Sequence, residues 1–365
     1  MHLSNILNFK MPIPKFSSAS GTFQLELKKR IQEYFAKTGK PTTGDSSLLF
    51  KGSFLLLLFV ATYIHLIWFT PPVALAILEC VLLGGIVSGI GFNVMHDGAH
   101  GSFSKYKWLN HLAAFSLNIL GGNSFMWNMK HNIIHHAYTN IDGVDDDIDI
   151  QPWMRMSAAQ KKYRLHKYQH LYFWFLYSLF YLFWVFVLDY QKYFKRRVGS
   201  MALKKMKWDD HLTFWSFKLV HYFLFIILPV FMLGWIPWLV GFLIFTMVAG
   251  FVLSLVFQLA HTVEHTEFPS AIAETNKMPD EWAVHQIKTT ANFATGSKLV
   301  SWLVGGLNFQ IEHHLFPKVS HIHYPALSRI IRELCREYGL VYIEYPYMLQ
   351  AVVSHVSYLR KMGRS

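Results

Sequence analysis

The chain has 365 residues, of which 53% are hydrophobic, 17% aromatic and only 15% charged. Soluble domains carry about 25% charged residues, so a water-facing surface is ruled out here, and the abundance of Phe, Tyr and Trp rules out a disordered chain. A net charge of +12 admits nucleic acid as a partner. The basic residues, however, flank apolar runs, as in Lys28-Lys29-Arg30 and Lys195-Arg196-Arg197. That placement points to the cytoplasmic surface of a membrane and away from nucleic acid.

Residues 1–46 are polar and carry no signal-peptide pattern. They read as a cytoplasmic N-terminal segment, too short for a fused haem or ferredoxin domain. A membrane helix needs about 20 mostly apolar residues. Residues 48–69 and 72–94 qualify, and Thr70-Pro71-Pro72 divides them without a charge. The pair predicts a helical hairpin with its tip on the non-cytoplasmic side. Residues 108–128 are apolar but less clear, and residues 171–188 are dense in aromatic side chains. Residues 213–235 and 236–260 predict a second hairpin, turning at Gly234-Trp235-Ile236-Pro237. No Pro/Gly/Ser-rich linker divides the chain, so residues 47–325 form one membrane domain and residues 326–365 a cytoplasmic, amphipathic helical segment. Cys80 and Cys335 show no paired framework, and no disulfide is expected.

The 20 histidines are clustered. His96-Asp97-Gly98-Ala99-His100 follows the second span. His131-Asn132-Ile133-Ile134-His135-His136 comes next. His261-Thr262-Val263-Glu264-His265 ends the fourth span, and Gln310-Ile311-Glu312-His313-His314 comes last. Helical residues i and i+4 share a face, so His96/His100, His131/His135 and His261/His265 can each aim two imidazoles at one point. Imidazole suits Fe, Zn, Cu and Ni. About nine nitrogens exceed one ion's octahedral capacity, which implies two ions.

If motifs before residue 140 and after residue 305 build one site, an even number of spans separates them. The second hairpin supplies two, so residues 171–188 are expected along the interface, where aromatic rings are favoured. The predicted fold is an all-α integral-membrane protein. It has four transmembrane helices in two hairpins, interfacial helices and a cytoplasmic histidine-rich cap.

Asp97, Glu264 and Glu312 lie within the clusters and can accept the second N–H of a ligating imidazole; simple solvation is the equal alternative. The run Asp142, Asp145, Asp146, Asp147 and Asp149 is either bonding near the metals or a solvated acidic loop. His65, His111, His166, His170, His211, His221, His285 and His355 lack clustered partners and read as packing or surface residues. His321 and His323 read as interfacial rather than ligating.

These boxes resemble those of the membrane fatty acid desaturase family over roughly residues 50–325. His96–His100 and His131–His136 look like its first and second histidine boxes. Gln310–His314 looks like the third box of the front-end subgroup, in which Gln replaces the first His. The resemblance implies two irons, O2 as co-substrate and a cytoplasmic site. The implied ligands are His96, His100, His131, His135, His136, His313 and His314. His265 matches an extra histidine of related enzymes. His261 falls where relatives place a water-bound Asn, and it either ligates directly or acts through water; Gln310 bonds a ligand or a metal-bound water. The implied substrate is an acyl-CoA or acyl-lipid with a long, already unsaturated chain. A separate ferredoxin or small b-type cytochrome, with its reductase, is the expected electron donor, and membrane lipids are the surroundings. The alternatives are a di-iron lipid hydroxylase or carotenoid ketolase, a membrane b-type cytochrome, and a metal transporter.

Overall fold

The computed structural model describes residues 13–16 and 21–365. The rest of the expected segment 1–46 lies outside the described residues. The described residues are mostly helical, with only two-residue strands among them. Helix α1 is Thr22–Thr38. Asp45 then caps α2, Ser46–Phe69, its carboxylate accepting from the amides of Ser47 (3.0 Å) and Leu48 (3.3 Å). Thr70 and the two prolines stop α2, and α3 runs back from Val73 to His100. After α4, Lys107–Ile119, the chain turns at Gly121-Gly122 and becomes helical again over 124–138, α5. The apolar stretch 108–128 is therefore two elements, and α4, at 13 residues, is shorter than a bilayer requires.

The second hairpin is α7, Trp208–Leu233, and α8, Trp235–His261, joined through Gly234. The Trp238 indole donates to the Phe225 carbonyl at 2.8 Å, tying the two near their turn. Between the hairpins and the preceding loop lies α6, Arg164–Lys195. Apolar side chains meet lipid as readily as one another, so membrane helices associate through close packing of small residues. Gly250 of α8 shows this: a Cβ there would lie 2.4 Å from the Ser178 carbonyl oxygen of α6.

Five helices among the described residues (α2, α3, α6, α7 and α8) are long and apolar enough to cross a membrane. The protein is an integral membrane protein. Four of the five match the predicted spans, and α6 extends the aromatic stretch 171–188 in both directions to 32 residues. The loop before it runs alongside. At one end of α6, His166 Nε2 meets the Pro152 carbonyl at 2.8 Å and Gln169 Nε2 donates to the Arg155 carbonyl at 2.9 Å. At the other, Lys192 pairs with Asp146 at 3.0 Å.

The remaining elements form a cap over one end of the hairpins. They are α9 (Trp282–Thr289), α10 (Lys298–Leu303), α11 (Gln310–Leu315), α12 (Tyr324–Glu337) and α13 (Met348–Arg364). Phe23, Leu27 and Ile31 of α1 share one buried core with Ile287, Ile311, Leu327, Ile331 and Leu334. Outside that core, Arg30 donates both guanidinium amines to the Glu337 carboxylate, at 2.7 and 2.6 Å. A short parallel pairing, Asn292 with Glu344 and Phe293 with Tyr345, fastens the chain after α9 to that before α13. Helix α13 docks on α6, where Gln169 also donates to the Leu359 carbonyl at 2.8 Å.

Candidate metal centre

Backbone irregularity brings the histidines to bear. Residues 91–95 of α3 and 128–135 of α5 are wound as π-helix, with i to i+5 hydrogen bonding. In an α-helix His136 would point about 140° away from His131 at 3.6 residues per turn. The wider turn puts residues five apart nearly over one another, so His131, His135 and His136 all face inward. Gly98 lets α3 approach α4: a Cβ there would lie 2.6 Å from that of Ala113 and 2.8 Å from the Asn110 carbonyl oxygen.

Two sets of imidazoles result, all buried except the half-buried His100. His96, His100, His131 and His313 place ligand nitrogens within 4.8 Å of one another, as do His135, His261 and His314. His136 lies between them, its ring centre 4.6 Å from that of His313 and 4.5 Å from that of His314. Eight histidines from α3, α5, α8 and α11 thus meet at one point in the fold. His265 does not: it is exposed, in a left-handed turn beyond α8 (φ 76°), and outside both sets. Glu264 is also exposed and turns toward α13, accepting from the Ser357 hydroxyl at 2.7 Å. Gln310 is buried on the same helix as His313 and His314, and its side-chain nitrogen has no partner.

The donor set fits a bound cation. His131 Nε2 stands 3.2 Å from both His96 Nε2 and His136 Nε2. Nitrogens sharing one transition-metal ion, each at about 2.0–2.1 Å, lie about 2.9–3.4 Å apart. The buried Nε2 atoms of His100, His261, His313 and His314 have no protein partner, an arrangement that costs free energy unless something fills the space they face. Burial and neighbouring imidazoles hold His131, His136, His313 and His314 well below the usual histidine range. They are therefore neutral at pH 7, with lone pairs free to ligate.

An outer layer fixes the rings. His314 Nδ1 meets Gln286 Oε1 at 3.0 Å, His313 Nδ1 the Tyr324 hydroxyl at 3.1 Å, and His261 Nδ1 the Thr289 carbonyl at 3.3 Å. Each leaves its Nε2 facing the centre. His135 Nδ1 meets Asp145 at 3.0 Å and Asp147 at 3.2 Å. Burial lowers the affinity of His135 for a proton, but these two carboxylates outweigh it and raise the group above its ordinary value. Asp97 is buried and bonds His321 Nδ1 at 2.8 Å; its other oxygen lies 3.8 Å from His96 Nδ1. His321, read from sequence as interfacial, is instead interior. Glu312 is buried between the Tyr342 hydroxyl (2.7 Å) and the Asn292 amide (2.8 Å), and burial pushes its carboxyl up to about 7. Gln286, Thr289, Tyr324, Asn292 and Tyr342 carry no spacing signal, and a single sequence has no feature that marks them.

A helical membrane protein with imidazoles from four separate helices converging on one point offers a site that can hold transition-metal ions. The sequence model of the family described as fatty acid desaturase matches residues 70–346. Among curated relatives, a sn-1 linoleoyl-lipid 6-desaturase of Arthrospira platensis is 34% identical, covering 93% of this chain and 92% of its own. The sn-1 linoleoyl-lipid 6-desaturase of Synechocystis is also 34% identical, covering 96% and 98%. An acyl-lipid (8-3)-desaturase of Physcomitrium patens is 31% identical, covering 97% of this chain and 75% of its own. The chain belongs to the fatty acid desaturase family. It is an oxidoreductase that desaturates fatty acyl chains, and enzymes of this family use iron.

Proposed function

We propose that the enzyme inserts a cis double bond into an already unsaturated acyl chain carried on a membrane lipid. The two irons would be held by His96, His100, His131, His135, His136, His261, His313 and His314. The observation that carries this reading is the convergence of eight imidazoles, all but the half-buried His100 fully enclosed, as two adjacent sets with His136 between them. Eight nitrogens exceed the six positions of one octahedral ion, and the two sets offer two positions. An acyl-lipid carrier is favoured over acyl-CoA because the matched relatives are named for lipid-linked substrates.

Bound iron with O2 supplies the power to break an unactivated methylene C–H bond, which no side-chain acid or base can do. The protein's own tasks are ligation, positioning and exclusion of water. Gln286, Tyr324, Thr289 and Asp145 orient the rings. Met95, Leu117 and Trp127 supply apolar surface beside the first set, and the Trp127 indole stacks on His131 at 4.4 Å. Burying an acyl chain gains about 0.8 kcal/mol per CH2, and a misplacement of about 1 Å can cost a hundredfold in rate. Electrons would come from a separate ferredoxin or small b-type cytochrome.

Four spans, α2, α3, α7 and α8, suit this site. His135 and His261 share one metal set, so an even number of crossings separates them. Only α6 can be the helix that lies along the surface, because α7 and α8 form one hairpin. Contacts from both ends of α6 to the loop 146–155 support that placement. The hairpin tips at 70–72 and 234 carry no charge while Lys195, Arg196, Arg197, Lys204, Lys205 and Lys207 precede α7, which favours a site on the cytoplasmic side.

Lipid profiling of cells expressing the chain, with double bonds located by mass spectrometry, tests the reading. Loss of two hydrogens from a lipid-linked acyl chain is the expected result. Gain of an oxygen atom would overturn it in favour of a hydroxylase or ketolase.

A further inference from the structure

The eight imidazoles differ in what holds their outer nitrogens. His261, His313 and His314 lean on a carbonyl, a phenol and an amide oxygen, all neutral. The Nδ1 atom of His136 has no hydrogen-bond partner, and that of His96 faces a single carboxylate oxygen of Asp97 at 3.8 Å, beyond hydrogen-bond distance. His135 alone among these donates toward two carboxylates, with Asp145 Oδ2 at 3.0 Å, Asp145 Oδ1 at 3.2 Å and Asp147 Oδ2 at 3.2 Å. Both acids are anchored. Asp145 accepts from the amides of Asn140 (2.9 Å) and Asp147 (3.0 Å), and Asp147 pairs with Lys130 at 2.6 Å. Asp145 is fully buried and His135 nearly so, so solvent screens this contact little.

From this we infer that the two metal positions are electronically unequal, and that Asp145 and Asp147, acting through His135, make the position shared by His135, His261 and His314 the electron-rich one. The inference rests on the two-iron reading above. A carboxylate on the outer N–H raises the basicity of a ligating imidazole, and two raise it further. The richer nitrogen favours the higher oxidation state of the metal it binds. Asp145 and Asp147 are positioning residues here, since neither needs to touch the metal or the acyl chain. Lys130 is part of the device: it neutralises much of one carboxylate while holding it against the ring.

The test uses full-length enzyme purified with 57Fe. Wild type is expected to hold two irons per chain and to give two quadrupole doublets of equal area in its Mössbauer spectrum. Asp147→Asn is expected to shift one doublet and leave the other in place. The double variant Lys130→Gln/Asp147→Asn removes the cation that the single change strands, and it is expected to show the same one-sided shift. Retention of a single iron with an unshifted doublet in either variant also places the carboxylates at one position and supports the inference. One doublet in wild type, equal movement of both, or loss of both irons together would overturn it. Wild-type enzyme that is active with one iron would instead sink the two-iron reading, a separate failure.

Discussion

In the cap, Ile287, Ile311, Leu327, Ile331 and Leu334 are completely buried. Along α7, by contrast, Leu219, Phe223, Ile227 and Phe231 stand 51–84% exposed at a spacing of four residues. The same residue chemistry serves opposite ends. The cap folds by taking apolar side chains out of water, as any soluble core does. The hairpins keep a large apolar face outward because their solvent is hydrocarbon, and they use close backbone approach to hold together, as at Gly84 of α3, where a Cβ would lie 2.6 Å from the Phe245 carbonyl oxygen of α8. The histidine sets lie where the two regimes meet, with α3 and α8 delivering His96, His100 and His261 from the membrane side and α11 delivering His313 and His314 from the cap. Damage to either region therefore reaches the site, but by different routes.

The sharpest break comes from the ligands themselves. His135→Ala, His261→Ala or His314→Ala should leave an inserted protein with turnover below ~1%, since even outer-layer partners are worth about 10–100-fold. His265→Ala should keep more than about half, because the structure leaves that side chain exposed. Product formation normalised to the amount of inserted protein measures both. An inactive His265→Ala would show that this ring reaches the metals after all.

Gly98→Val attacks the seam between α3 and α4. The contacts at 2.6–2.8 Å force the helices apart, and a shift of about 1 Å at His96 and His100 predicts a loss near a hundredfold. Iron content measured alongside turnover should fall with it.

Stability separates the regions more gently. Ile331→Ala in the cap should cost about 2–4 kcal/mol through the cavity it leaves. Phe231→Ala, on a lipid-facing position that is 84% exposed, should change stability by less than about 0.5 kcal/mol as a surface substitution. Unfolding in detergent micelles or bicelles compares the two; equal costs would erase the distinction drawn here.

Acid should also destabilise the cap. Burial holds His285 and His355 down to about 4, against an ordinary value near 6.5. The folded protein then binds fewer protons than the unfolded chain between these limits. Stability is complete above about pH 6.5 and falls as pH drops toward 4, by up to about 3 kcal/mol for each group. Melting temperature recorded from pH 7.5 to 4.5 should decline through that window, and His285→Gln should flatten the decline.

Much of the architecture was legible before folding. Four apolar runs bounded by uncharged turns placed four long helices within a few residues of their observed limits, although His96 and His100 proved to continue α3 rather than follow it. The boxes at 96–100, 131–136 and 313–314 were visible through spacing alone. Less legible was the pairing of His261 and His265, which fit one helical face in sequence. In the structure α8 ends at His261, and His265 turns away. The acidic run was equally balanced between two readings until Asp145 and Asp147 were found against His135 and Asp146 against Lys192.

Hydropathy, turn residues and histidine spacing are local properties, and they were enough to point to a membrane-embedded helical protein with histidines clustered at the ends of its spans. Which rings meet, which carboxylate steadies which ring, and whether an aromatic helix crosses or skirts the bilayer depend on tertiary contacts, from His135 with Asp145 ten positions away to Asp97 with His321, 224 positions away. Those contacts arise only when helices pack. The π-helical windings at 91–95 and 128–135 and the close seam at Gly98 set them, and neither has a sequence period to betray it.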